Sequence, residues 1–515
     1  MKTPMLLCTL CYLAMGLQTV RAEAPPPPKI MLPSIFSENM VLQRDVPIPV
    51  WGWGPEGEEI FVLLGAETRK TVVKDGRWQV TLPPMKAGGP YTLLIMNKDP
   101  KDHVNTDMGD TVMFTQVLVG EVWLVCGQSN MLMPVSDAAE WEQAVAECKN
   151  YPNIRVAMGG HRINHNLMGE KRKFLPMGYW GPIKWENTTY TVPRTRTETP
   201  GCSSALSYYF ARELSRYLHG AVPIGMVEVG AILSVESWVD EETLGAVPEL
   251  AYLKGKGYPH ASSACYNANI APLLPFPVRG FIYYQGEMNG GRGLEYRASL
   301  PALIRSWRKA WGDATLPFLI VQLPGFVTHE QKAATQWDMD KAILDQYKQA
   351  NVEHGFCGVR EAQFLTWRTV PKTGLAVTLD LGEPFDIHPK RKREVAERVF
   401  LQARQVAYGE ANLVASGPVF EGCRFNGAEA ILTFSSVGAG LVAQGGALKG
   451  FELSADGKTF VPATATIADA TVVVRSTAVP TPTAVRYAWA GFPEATLFNK
   501  DGLPASPFRF PVPEK

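Results

Sequence analysis

From about residue 114 to 404 the chain alternates strand-like and helix-like stretches, and on either side of that segment the helices disappear. Val117–Val125 is a continuous apolar run, Ser204–Leu218 has helical period, and Val222–Val229 and Val278–Tyr284 are further apolar runs. Tyr296–Trp311 is helical again, Leu316–Leu323 is strand-like, and Glu394–Val406 closes the series as a helix. Strands alternating with helices predict an α/β domain with a parallel sheet covered on both faces, because each apolar strand must be buried from above and below. Such a sheet takes its ligand beyond the carboxyl ends of its strands, so the polar turns there are the places to look for chemistry.

The flanks carry a different pattern. Within 29–113, Ile48–Gly54, Ile60–Leu64 and Trp78–Leu82 are short strand-like runs separated by turn residues such as Pro55-Glu56-Gly57 and Asp75-Gly76. Within 405–515 the runs are Ala430–Phe434, Thr471–Val474 and Ala484–Ala488, again between glycine turns. Each flank is expected to form a β-sandwich-like domain around the α/β domain of 114–404.

Residues 1–22 are expected to be a secretory signal peptide, with Lys2 at the start, an apolar run from Met5 to Met15, and Val20-Arg21-Ala22 at the cleavage point. That run is shorter than the ~20 apolar residues of a spanning helix, and charges or prolines break every later one. No membrane span is expected. The protein is expected to be exported, to a bacterial periplasm or medium, or along a lysosomal or secretory route in a eukaryote. Six cysteines follow the signal: Cys126, Cys148, Cys202, Cys265, Cys357 and Cys423. None lies in a CxxC or Cys/His pattern of zinc spacing, so no metal and no cofactor is expected, while disulfide pairing stays open.

Lys plus Arg number 50 and Asp plus Glu 50, which leaves no basic excess to bind a nucleic acid. Thirteen Trp and 17 Tyr supply flat amphipathic surface of the kind that sugars stack on.

Three polar turns follow predicted strands. Cys126-Gly127-Gln128-Ser129-Asn130-Met131 presents a serine at the sheet edge, where free backbone N–H groups can hold an oxyanion. A serine hydroxyl needs a base, and of eight histidines only His388, in Asp386-Ile387-His388-Pro389, has a distinctive setting. Pro389 is expected in the first turn of the following helix, and Asp386 is placed to orient the imidazole. The third turn is Gln285-Gly286-Glu287-Met288-Asn289, where Gln285 or Asn289 has an amide for an oxyanion and Glu287 a carboxylate for substrate. Each turn alone reads equally as an ordinary cap; their convergence on one edge is what carries weight.

GQSNM after VGEVWL, YYQGEMN, and DIHPKRKREVAER resemble the sialate O-acetylesterase family, a branch of the SGNH-type serine hydrolases. FSENMVLQR (36–44) with Trp51-Gly52-Trp53, NANIAPLLP (267–275), Arg360–Gln363, AVRYAW (484–489) and LPASPFR (503–509) extend the likeness across nearly the whole chain after the signal. The resemblance implies a flavodoxin-like catalytic domain and metal-free removal of O-acetyl groups from sugars through an acetyl-enzyme. In this sequence it makes Ser129 the nucleophile, His388 the base and Gln285 an oxyanion-hole side chain. It also implies a glycine N–H as second oxyanion donor, for which Gly230 is the one glycine in 229–238. Members of the superfamily commonly carry an aspartate three residues before the histidine, where this chain has Phe385. The expected substrate is an O-acetylated sialic acid. Another acetylated polysaccharide such as acetylxylan, or glycan binding with weak turnover, are the alternatives.

Overall fold

The computed structural model describes residues 30–100, 109–158, 184–187, 204–257, 260–327 and 355–513. The expected signal peptide and Cys202 lie outside them. The N-terminal region folds as six strands, β1 (Val41–Gln43), β2 (Ile48–Trp53), β3 (Glu59–Leu64), β4 (Glu67–Val72), β5 (Arg77–Leu82) and β6 (Gly88–Met96). β2 and β5 pair as an antiparallel couple, while β4, β3 and β6 pair antiparallel in that order and β6 lies against β7 (Thr111–Gly127).

β7 is the spine of the molecule. Its first residues, TVMFTQ, alternate between exposed and half-buried and pair with β6. From Val117 onward every residue is buried, and the same strand enters the α/β sheet between β10 (Ile224–Gly230) and β11 (Gly280–Tyr284). One strand of 17 residues therefore runs across the expected boundary at 113/114. The two parts of the sheet meet at Gly120, where a Cβ would lie 1.9 Å from the Pro223 carbonyl oxygen. No larger residue fits that approach.

The α/β sheet has the order β13–β12–β11–β7–β10–β8–β9, with β8 (Ile154–Met158), β9 (Lys184–Asn187), β12 (Phe318–Val321) and β13 (Thr373–Ala376). All neighbours are parallel except β9, which runs antiparallel on the edge. Without the β8–β9 edge this is the flavodoxin order, and the direction of winding reverses beside β7, at a topological switch point. Among the described residues four long helices cover the sheet. Helix α1 (Ala205–Tyr217) is capped by the Ser204 hydroxyl, which accepts the Ser207 N–H, and packs on α4 (Lys392–Val406) through Phe210 and Phe400. α2 (Gly293–Trp311) and α3 (Cys357–Thr369) touch through Gly293 and Gly358, where a Cβ on Gly293 would stand 2.5 Å from Gly358 backbone. Right-handed crossovers put the two pairs on opposite faces.

The C-terminal region is built of antiparallel sheets, one ordered Val419–Asn426, Glu429–Ser435, Thr471–Arg475, Thr464–Ala468. It is locked to the α/β domain by Arg360, which is fully buried on α3 and donates to the carbonyls of Leu323, Pro324, Ala490 and Gly491. The five described cysteines, Cys126, Cys148, Cys265, Cys357 and Cys423, are free thiols.

A second lock sits on β7 itself. The buried Glu121 carboxylate accepts Arg44 Nε at 2.5 Å and the Tyr408 hydroxyl at 3.0 Å, with Arg279 Nε 3.4 Å away. It thereby joins the N-terminal region, β7, the entry to β11 and the end of α4. Replacing Glu121 with Ala removes the buried anion from two guanidinium groups and is expected to cost about 3 kcal/mol, the low end for removing one partner of a buried ion pair, since both arginines keep some water and other partners. Urea unfolding followed by tryptophan fluorescence measures it; an unchanged midpoint contradicts the role given to Glu121.

Candidate active site

Ser129 stands where β7 ends. A Cβ on Gly127 would lie 2.1 Å from the Tyr284 carbonyl oxygen, so glycine is what lets the ends of β7 and β11 close up. The Gln128 carbonyl then accepts the N–H groups of Met131 and Leu132 at 2.9 and 3.0 Å, starting a four-residue helix, Ser129–Leu132, with Ser129 at its first position. The Ser129 N–H consequently has no acceptor within the helix, which leaves it available as an oxyanion donor.

His388 comes in from the loop before α4. Its Nε2 is 2.8 Å from Ser129 Oγ, and its side chain remains 42% exposed, so a substrate can reach the pair. Helix α4 begins at Lys392, so Pro389 precedes it and is not in its first turn as expected. Asp386 takes up a different position from a ring-orienting acid. Its Oδ1 accepts the backbone N–H of His388 at 2.9 Å and stands 4.0 Å from Nδ1. The carboxylate shapes the loop through the main chain.

This predicts how Asp386 variants behave. Asp386→Asn keeps an acceptor for the His388 N–H and is expected to lose less than about tenfold in kcat, whereas an aspartate that fixes the tautomer loses about 10⁴ on the same change. Steady-state hydrolysis of 4-nitrophenyl acetate distinguishes the two; a loss near 10⁴ restores Asp386 to a ring-orienting role.

The third turn is arranged differently from expectation. Gln285 is wholly buried, and its Nε2 donates to Asn289 Oδ1 at 2.8 Å and to the Leu233 carbonyl at 3.3 Å, while Oε1 accepts the Tyr296 hydroxyl at 3.0 Å. Asn289, also wholly buried, accepts the Val235 N–H at 2.9 Å and donates to Glu236 Oε2 at 3.3 Å. Both amides serve to fasten the β10 loop to the β11 turn, and neither is turned to the serine. The physical reason is burial: an amide in a dry interior takes the internal partners it finds. Gly230 ends β10 against Leu132, where a Cβ would meet Leu132 Cδ1 at 2.4 Å, and the neighbouring Ala231 N–H is spent on the Gly127 carbonyl at 3.0 Å. Its established part is close packing. The N–H of Ser129 is the oxyanion donor the geometry offers most directly.

Glu287 is half-buried and accepts Asn130 Nδ2 at 2.6 Å; burial pushes its carboxyl up, against the Asn130 hydrogen bond and the Lys392 charge. Lys392 is fully buried and donates to Asn130 Oδ1 and the Pro389 carbonyl, each at 2.7 Å. Burial brings its ammonium down from 10.5 to about 7, with Glu287, Asp386 and Glu383 pulling the other way. Neither Asn130 nor Lys392 was singled out from the sequence. Asn130 is visible only as the residue after the serine, and Lys392 is one of four consecutive basic residues at a helix start, where only the fold decides which is buried. Beyond Asn289 lies a further cluster, with Glu236 Oε1 2.6 Å from His260 Nδ1 and 2.8 Å from Arg292 Nη1. Burial would raise the Glu236 carboxyl, but the Arg292 charge and these hydrogen bonds hold it low. Among the described residues no three His, Cys, Asp or Glu side chains gather as a metal ion requires.

The lowered Lys392 pKa has a sign. Above about 10.5 the amine is neutral folded and unfolded; as pH falls toward 7 only the unfolded chain binds the proton, so stability drops by at most about 1.4 kcal/mol per pH unit and levels off below 7. Thermal unfolding from pH 7 to 9 is therefore expected to raise Tm more in the parent protein than in Lys392→Met. Equal slopes contradict a depressed Lys392.

With this geometry in view, residues 119–357 match the family model for carbohydrate esterases described as sialic acid-specific acetylesterase. Human sialate O-acetylesterase is 30% identical over 419 residues, spanning 75% of this chain and 73% of that protein. The mouse sialate O-acetylesterase is 28% identical over 451 residues, with 75% of each covered. A crystal structure of a carbohydrate acetylesterase from Xanthomonas citri superposes with a TM-score of 0.77 at 36% identity, covering 94% of this chain and all of that one. The superposition takes in the β regions on both sides of the α/β domain.

Proposed function

The chain belongs to the sialate O-acetylesterase family, and from that premise we propose that it removes O-acetyl groups from sialic acids with Ser129 as nucleophile and His388 as general base. The observation that carries the reading is the 2.8 Å contact of His388 Nε2 with Ser129 Oγ at the switch point of the sheet. Ser129 Oγ attacks the acetyl carbonyl as Nε2 takes its proton, and the alkoxide that forms is stabilised by the Ser129 N–H at the start of its helix. The tetrahedral adduct collapses, Nε2 returns the proton to the sugar oxygen, and the deacetylated sugar leaves. Water, deprotonated by the same nitrogen, then hydrolyses the acetyl-serine to acetate. A half-exposed dyad suits a bulky glycan that presents only its acetyl group to the serine.

The likeness to the Xanthomonas citri carbohydrate acetylesterase supports a second substrate reading, in which the acetylated sugar is a different glycan and the chemistry is unchanged. We place the mature chain outside the cytoplasm on the pattern of Lys2, the apolar run Met5–Met15 and Val20-Arg21-Ala22. No helix among the described residues is long and apolar enough to cross a membrane.

Acetate release from 9-O-acetylated sialic acid and from acetylated xylan, with Ser129→Ala as control, tests the proposal. The expected result is release from the sialic acid, falling by about 10⁴ or more in the variant. Release from xylan only transfers the chemistry to the second substrate. Undiminished release by Ser129→Ala removes Ser129 from the mechanism.

A further inference from the structure

Both backbone carbonyls beside His388 are gripped by side chains. Ile387 O accepts Asn130 Nδ2 at 2.8 Å, and Pro389 O accepts Lys392 Nζ at 2.7 Å. The two donors are bonded to each other, Lys392 Nζ to Asn130 Oδ1 at 2.7 Å, and Asn130 is the residue that follows Ser129. Nucleophile and base are thus members of one closed ring of bonds that runs through Ser129, Asn130, Lys392, Pro389 and His388. A second bond of Asn130 Nδ2, to Glu287 Oε1 at 2.6 Å, ties the ring to the turn after β11, and Nζ lies 5.5 Å from the centre of the Tyr284 ring. Asn130 is 1% and Lys392 0% exposed.

Resting on the reading of Ser129 and His388 as nucleophile and base, we propose that Asn130 and Lys392 are positioning residues, setting the Ser129–His388 contact by holding the main chain on both sides of the histidine. A lysine at this core-facing position of α4 is an expensive way to fill space, because an ammonium loses its hydration there and an apolar side chain of equal length does not. What the ammonium supplies is direction: a donor that reaches the Pro389 carbonyl and the Asn130 amide at once. The imidazole is carried on a loop with its side chain nearly half exposed, so a hold on the main chain at both of its neighbours bears directly on its approach to Ser129.

The test measures kcat and KM for Lys392→Met, Asn130→Ala and the double variant, with folding checked by circular dichroism. A misplacement on the ångström scale costs on the order of 10²-fold, so each single change is expected to lower kcat about 10- to 100-fold with KM within about threefold. Because the two act as one device, the double variant is expected within about threefold of the weaker single. If Lys392→Met does not fold, Asn130→Asp carries the test: it is isosteric, cannot donate to the Ile387 carbonyl, and is expected to show the same fall in kcat. Folded variants with kcat within threefold of the parent, or losses that multiply in the double variant, overturn the proposal. Ser129→Ala separates the levels. If it is inactive while the clamp variants keep full kcat, only the clamp fails; if it stays active, the nucleophile assignment fails and the clamp with it.

Discussion

The structure depends on one strand being able to live in two environments. Up to Gln116, β7 alternates like the edge of a solvated antiparallel sheet; from Val117 it is buried on both faces like the centre of a parallel one. The change happens without a turn, between Gln116 and Val117, and at Gly120 just beyond it only a glycine allows Pro223 so close. The consequence is mechanical. The strand that ends in the nucleophile is hydrogen-bonded along its first half to the N-terminal region, so Ser129 sits at the end of a beam anchored on both sides, and Glu121 bolts that beam to Arg44, Arg279 and Tyr408.

At the far end of the beam, polar groups are buried in numbers that a stability argument alone does not explain. Gln285, Asn289, Asn130 and Lys392 are each 0 or 1% exposed. They divide into two sets with separate tasks. Gln285 and Asn289, with Tyr296 and Glu236, fasten the loop after β10 to the turn after β11. Asn130, Glu287 and Lys392 connect the nucleophile's helix to the histidine loop. Buried networks of this kind specify one arrangement of three loops, which is what an approach of 2.8 Å between residues 129 and 388 requires.

Much of this is legible in the sequence. Val222–Val229 and Val278–Tyr284 read as strands because both of their faces are buried, and a doubly buried strand writes a continuous apolar run. Ser129 and His388 read as a pair because polar turns after predicted strands converge on one sheet edge and the motifs around both residues resemble those of one esterase family. The single strand through residue 113 did not read, since the shift from alternating to continuous apolarity at Gln116 looks the same as a domain boundary. Gln285, Glu287 and Asn289 were read as facing a ligand because a polar residue in a glycine turn carries no mark of which way it points; the hydroxyls, amides and backbone groups that claim them come from distant segments such as Tyr296, Leu233 and Asn130. Asp386 was placed beside the right residue, and its hydrogen bond went to the main chain instead of the ring. Lys392 lies hidden in the basic run Lys390-Arg391-Lys392-Arg393, of which the start of α4 buries this one alone.

The central claim is that the Ser129 hydroxyl is activated by His388. The most direct measurement is covalent trapping with a fluorophosphonate, read by mass spectrometry of the digested protein. The account predicts a single adduct on the peptide bearing Ser129, formed at least about 100-fold more slowly in His388→Ala. An adduct on another serine, or an equal rate in His388→Ala, contradicts it.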